Sequence, residues 1–139
     1  MEDDDSPSGQ NNPKKRIVVV GPCATGKTTL VNNLRPQGFD IRPCSQEHSY
    51  VPQLWIKFSK ADILIFLDAQ LPTIARRQKR SDWTQQRLDI QRQRLAHARA
   101  HCDFYLSTDD LTRHQVAEQV ERFLRERGIV PKKGAPNQN

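Results

Sequence analysis

Cysteine is scarce in this 139-residue chain: Cys23, Cys44 and Cys102 are an odd set with no Cys-x-x-Cys spacing. That excludes a disulfide-stapled scaffold, supplies no zinc-ligand spacing, and suits a reducing, cytoplasmic setting. The four histidines offer no ligand pattern either. His97 and His101 fall on one helix face but lack a third ligand, and surface positions are the simpler reading for them. Long apolar runs are missing, mean hydropathy is −0.79, and no stretch has the length of a membrane span. The start of the chain is acidic and lacks the apolar core of a secretory signal. Aromatic residues make up 6%, and Trp55 and Trp83 are read as core or interface anchors rather than base-stacking platforms. There is no internal repeat.

What the chain does contain is Gly21-Pro22-Cys23-Ala24-Thr25-Gly26-Lys27-Thr28, a full match to G-x-x-x-x-G-K-[ST]. Each fixed position has a physical role in holding phosphate. Gly21 and Gly26 let the backbone fold into a concave nest of amide N–H groups, and the helix that follows adds the positive end of its dipole. Lys27 is placed to reach β- and γ-phosphates, and the Thr28 hydroxyl to ligate Mg²⁺; Thr29 completes the loop. The context agrees with the motif. Arg16-Ile17-Val18-Val19-Val20 before it reads as a buried strand, and Leu30, Val31 and Leu34 after it share a helical face that Gly38 ends. Cys23, inside the loop, is either a small variable residue or a thiol acidified by the helix N-terminus.

Charge is unevenly spread. The net charge is +6, and the excess lies in Arg76, Arg77, Lys79, Arg80, Arg87, Arg92, Arg94 and Arg99, against only Asp82 and Asp89 in that stretch. Such a run suits nucleotide phosphates or a nucleic-acid backbone, but most of it is expected to be a solvated helix face. Residues 1–15 and 131–139 are polar, with an acidic run at the front, and are expected to be disordered tails around one domain at 16–130.

Within that domain strands alternate with helices. A second strand is expected within Phe39–Glu47, where Pro43 suits only an edge, and a short helix over Pro52–Lys60, with Leu54, Trp55 and Phe58 on its apolar face. Ile63–Asp68 is the clearest strand after the first. Helices follow at Pro72–Lys79 and at Trp83 to His101, the latter with Leu88, Leu95, Ala98 and Cys102 on one stripe. Phe104–Ser107 is a last strand, and Thr112-x-x-Gln115 is a capping box for a last helix whose core face is Val116, Val120, Phe123 and Leu124. The expected architecture is a three-layer α/β P-loop NTPase fold around a small, mostly parallel sheet of about four strands. Ligands then belong at the carboxyl ends of the strands.

Beyond the loop, Leu67-Asp68-Ala69 followed by Arg76-Arg77 and Arg80 resembles the small nucleotide and shikimate kinase group of P-loop NTPases, over roughly Arg16 to Leu124. The resemblance implies ATP (or another NTP) with Mg²⁺, a small-molecule acceptor, and an arginine-bearing lid matched by Arg77 and Arg80. It also implies a carboxylate after the strand beside the loop. Only Cys44-Ser45-Gln46-Glu47-His48 offers one, so Glu47 is matched to the role of holding Mg²⁺ through water or orienting an acceptor hydroxyl, with a solvated loop glutamate as the alternative. Asp68 is a second carboxylate, functional or a cap for the next helix. The chain departs from that group in having little acceptor-binding sequence between its second and third strands. Guanine-reading Asn/Thr-Lys-x-Asp and the GTPase Asp-x-x-Gly are absent. The expected activity is therefore kinase-like transfer from ATP with Lys27, Glu47, Arg77 and Arg80 as catalytic residues. A nucleotide-binding regulator or slow NTPase without an acceptor comes second, and nucleic-acid binding by the arginine run third.

Overall fold

The computed structural model describes residues 15–51, 53–57, 60–79 and 82–131. Almost all of both tails expected to be disordered lies outside these residues, as do Pro52, Phe58 and the lid candidate Arg80. Among the described residues the chain is α/β. It has a four-stranded, all-parallel sheet and six α-helices, in the order β1 (Arg16–Val20), α1 (Lys27–Leu34), β2 (Asp40–Pro43), α2 (Leu54–Lys57), β3 (Ile63–Asp68), α3 (Leu71–Gln78), α4 (Gln85–Arg94), α5 (Ala96–His101), β4 (Phe104–Ser107) and α6 (Arg113–Glu126).

The strands lie in the order β2-β1-β3-β4. Val18 sits opposite Arg42 on one side and Leu64 on the other, and Phe66 opposite Tyr105. Alternation along β1 divides the core in two. Ile17 and Val19 pack with Leu30, Val31 and Leu34 of α1 and Val116, Val120 and Leu124 of α6. Val18 and Val20 face the other way, toward Trp55 of α2, Leu95, and Ala98 of α5. Helices thus cover both faces, as a parallel sheet requires. A third cluster of Ala69, Ile74, Trp83 and Leu88 binds α3 to α4. Both tryptophans are core anchors.

β2 is an edge strand and ends at Pro43, where a missing N–H costs no sheet bond. The long helix expected from Trp83 to His101 is two helices. At the junction the Arg94 carbonyl accepts a hydrogen bond from Gln46 Nε2 at 3.2 Å, a side chain inserted where the ladder turns at Leu95. The capping box is present in full: Thr112 Oγ1 accepts from Gln115 N–H, and Gln115 Oε1 from Thr112 N–H.

The chain leaves β1 for β2 on one side and later returns to place β3 on the other. The order reverses at β1/β3, and the crevice beyond the carboxyl ends of those strands is where open α/β sheets place ligands.

Candidate functional site

The loop 21–26 occupies that crevice. Gly21 passes so close to β3 that a Cβ there would overlap the carbonyl oxygen of Leu67. Further along, Ala24 (φ 61°) and Gly26 (φ 101°) adopt left-handed backbone, the geometry that turns successive amides inward. Thr25, buried, ties the loop to itself by donating from Oγ1 to the Pro22 carbonyl at 2.8 Å. Gly26 is the N-cap of α1, so Lys27 and Thr28 open that helix.

Lys27 curls back over the loop. Its ammonium donates to the carbonyls of Gly21 (2.7 Å) and Pro22 (2.9 Å) and pairs with Glu47 Oε2 at 3.0 Å. Glu47 is 3% exposed, which rules out the solvated loop glutamate, and its second oxygen, Oε1, is buried without a hydrogen-bond partner. The meeting follows from topology. β1 and β2 are adjacent and parallel, so the loop after one and the turn after the other emerge side by side, and Cys44 N–H extends the pairing to Val19 O.

The turn that carries Glu47 is held from beneath by Gln46, fully buried and fully used. Its Nε2 donates to the Val51 and Arg94 carbonyls, and its Oε1 accepts from Trp55 N–H. Arg94 donates to the Glu47 carbonyl and to the Tyr50 hydroxyl. From α4, buried Gln91 accepts from Cys23 N–H at 3.0 Å and donates to Cys23 Sγ at 3.2 Å. His48 Nε2 lies 3.5 Å from the same sulfur. The spacing of histidines and cysteines along the chain gave no hint of a cluster, yet the fold brings Cys23, Glu47 and His48 together.

No protein-family model matches the chain, and no curated protein matches it.

Arg77 is brought to the loop as an anchor rather than a free cation. It donates to the Ala24 carbonyl (3.0 Å), Thr108 Oγ1 (2.9 Å) and the Thr108 carbonyl (2.6 Å), and so ties the loop to the turn after β4. Burial, then neighbouring Arg76, lowers its pKa, with Asp109 opposing. Beside it a cavity of about 590 Å³ is lined by Gly26, Thr29, Leu30, Arg76, Asp109 and Leu111, among others. Asp109 is held below the usual carboxylate range. Burial opposes this, but the Gln70 N–H, the Thr73 and Ser107 hydroxyls and Arg77 outweigh it.

Asp68 does not cap α3, whose N-cap is Gln70. Its Oδ1 accepts from Ala69 N–H and pairs with Arg92 at 3.1 Å, while its Oδ2 accepts from the Tyr105 hydroxyl at 2.6 Å. Glu47, not Asp68, is the carboxylate at Lys27. Most described members of the arginine run are exposed, as a solvated face requires, and several also hold partners. Arg87 stacks on Trp83, Arg94 on Tyr50 and Arg99 on Tyr105, and Arg92 is paired. Gln46, Gln91 and Thr108 were missed from sequence. Gln91 alone left a signal, as a polar residue between Leu88 and Leu95 on an otherwise apolar stripe.

Proposed function

We propose that this chain is a P-loop NTPase that binds Mg²⁺-ATP, or another NTP, on Gly21–Thr29 and transfers the γ-phosphate to a small acceptor. The observation that carries the reading is the Lys27 ammonium, gathered over the loop on three oxygens, two of them carbonyls and one a buried carboxylate. A polyphosphate offers such a cation stronger, charged acceptors. The residues also fit the metal: Glu47 Oε1 is a buried oxygen in need of a partner, and Thr28 follows Lys27, the ion-pair partner of Glu47, in the first turn of α1. Thr28 would hold Mg²⁺ directly and Glu47 through water. When bound, Mg²⁺ neutralises phosphate charge.

The cavity of about 590 Å³ is of small-molecule size and would take the nucleoside, next to Thr29 and Leu30. Orienting the acceptor hydroxyl is the alternative role for Glu47, and Arg77 would fix the loop on which the phosphates rest. Catalysis of this kind is mostly positioning and electrostatics, so a small set of residues suffices.

The test is calorimetric titration with Mg²⁺-ATP and with adenosine. Lys27→Ala should weaken ATP binding tenfold or more and leave adenosine binding unchanged; equal ATP curves for the two proteins would sink the proposal. One observation favours a second reading, a regulator or slow NTPase. Between β2 and β3 the described residues form only a 3₁₀ turn, Gln46–His48, and the single-turn α2, which is little with which to hold an acceptor. ATP turnover over a panel of nucleosides, nucleotides and hydroxyl metabolites separates the two. One stimulating acceptor selects the kinase, and a uniform slow background the regulator.

A further inference from the structure

We propose that Cys23, Glu47 and His48 form a binding site for one thiophilic divalent cation of the Zn²⁺ class. His48 Nε2 stands 3.5 Å from Cys23 Sγ and 3.6 Å from Glu47 Oε2. One donor atom from each residue falls within 4.8 Å of the other two. Zinc bonds of about 2.3 Å to sulfur and about 2.0–2.2 Å to nitrogen or oxygen, at tetrahedral angles, put their donors about 3.3–3.6 Å apart. Two of the three separations already have that value.

The orientation favours a cation over a catalytic relay. A thiol–imidazole–carboxylate relay needs the thiol on one ring nitrogen and the carboxylate on the other. Here both lie on Nε2, so the ring does not bridge them, and the three donors stand as one cluster around that nitrogen. Glu47 is buried; its Oε2 faces both His48 and Lys27, while its Oε1 has no hydrogen-bond partner, so the carboxylate as a whole has capacity left for a ligand bond. His48 is half exposed and gives an ion a way in. The Gln91 amide donates to the sulfur, the kind of outer hydrogen bond that steadies a metal-bound thiolate.

Binding is a simple exchange. The Cys23 thiol releases its proton to solvent, and its sulfur lone pair forms the bond to the cation without redox change. Three protein donors leave a fourth position for water. The competitor is Lys27, 3.0 Å from Glu47 Oε2; it keeps two carbonyl acceptors when the cation takes the carboxylate, but its charge repels the ion. Removing that charge must tighten the site.

The experiment titrates Co²⁺ into the tag-free full chain, without nucleotide, and reads the thiolate-to-cobalt charge-transfer band. One equivalent should bind, and Zn²⁺ should bleach the band. Cys23→Ser should abolish it, and Glu47→Gln and His48→Ala should each weaken binding tenfold or more. Cys44→Ser, Cys102→Ser and the double variant His97→Ala/His101→Ala should bind as wild type. Lys27→Met should bind several-fold tighter. Because that variant lacks the lysine on which triphosphate binding is proposed to rest, the metal site stands or falls independently of the nucleotide reading. A band that persists in Cys23→Ser, or undiminished binding in His48→Ala, would overturn the proposal. A readout on the unmutated protein covers any variant that fails to fold. One equivalent of Zn²⁺ should protect Cys23, but not Cys102, from iodoacetamide as mapped by peptide mass, and equal alkylation rates with and without the ion would also refute the site.

Discussion

Gly21 and Gly26 stand at the two ends of one loop, yet each is glycine for a different reason. At Gly21 the obstacle is β3, since a Cβ would overlap the Leu67 carbonyl, which belongs to a strand at the centre of the sheet and cannot retreat. At Gly26 the space is open and only the left-handed φ of 101° resists a side chain. Gly26→Ala should therefore cost about 1–2 kcal/mol of backbone strain. Gly21→Ala should cost on the order of 4 kcal/mol, in the tail where a steric fault has no cheap relaxation. Urea unfolding of the two variants checks the order, and equal losses would mean that the loop can lift off β3. At this scale the fixed positions of the motif were legible because they are local in sequence. Glu47 was legible only as a carboxylate in an unusual polar segment, and its partner Lys27 is 20 residues away and reached through strand pairing. Gln46 and Thr108 left no trace, because a buried polar residue that satisfies backbone groups looks in sequence like any loop residue.

At the scale of elements, α3 brings Arg77, one of the two arginines matched to a lid, to the loop as an anchor. Arg77 lies in the last turn of the helix and binds backbone oxygens on two separate segments, Ala24 of the loop and Thr108 after β4. A fork of donors makes these bonds together, and a lysine cannot replicate it. Hydrogen bonds to a charged group contribute about 1.5–3 kcal/mol, and the exposure of this side chain puts Arg77→Ala near the lower end. Arg77→Lys should recover less than half of that loss. Amide exchange should quicken at Ala24–Gly26 and around Thr108 while β1 and β3 stay protected; unchanged exchange at those amides would refute the anchor. If nucleotide is turned over, affinity and rate should fall together, because the anchor shapes the surface on which phosphates bind. Element types and order were legible from alternation, apolar stripes and the capping box, all of them local signals. The division of α4 from α5 was not, since it is produced by Gln46 reaching in from a turn 48 residues earlier.

Over the whole molecule, β3 and β4 are joined to α4 and α5 on the second face of the sheet by one polar network as well as by apolar contact. Tyr105 of β4 stacks on Phe66 of β3 and donates to Asp68, which pairs with Arg92 of α4, while Arg99 of α5 lies over the Tyr105 ring. Burial, then the hydrogen bond to Asp68 and its charge, pushes the Tyr105 hydroxyl up to about 12, against the opposing pull of Arg99 and Arg92. In the unfolded chain a tyrosine titrates near its ordinary value of about 10. Between those two pH values the unfolded state has released a proton that the folded state retains, so stability must fall as pH rises. The contribution is complete below about pH 10 and is lost as pH passes through the folded value. One full proton corresponds to about 1.4 kcal/mol per pH unit, and the 39% exposure of Tyr105 reduces that through solvent screening. Tyr105→Phe keeps the ring stacking and removes the titrating group. Urea midpoints measured from pH 8 to 11 should therefore decline more steeply in the wild type than in Tyr105→Phe, with lysine titration common to both and cancelling in the difference. A Tyr50→Phe background leaves Tyr105 as the only phenol, so its ionisation can be followed directly by phenolate absorbance. Parallel stability profiles would show that the Asp68–Tyr105 bond does not hold β4 and the second helical layer together, and the network would then be ornamental to the fold.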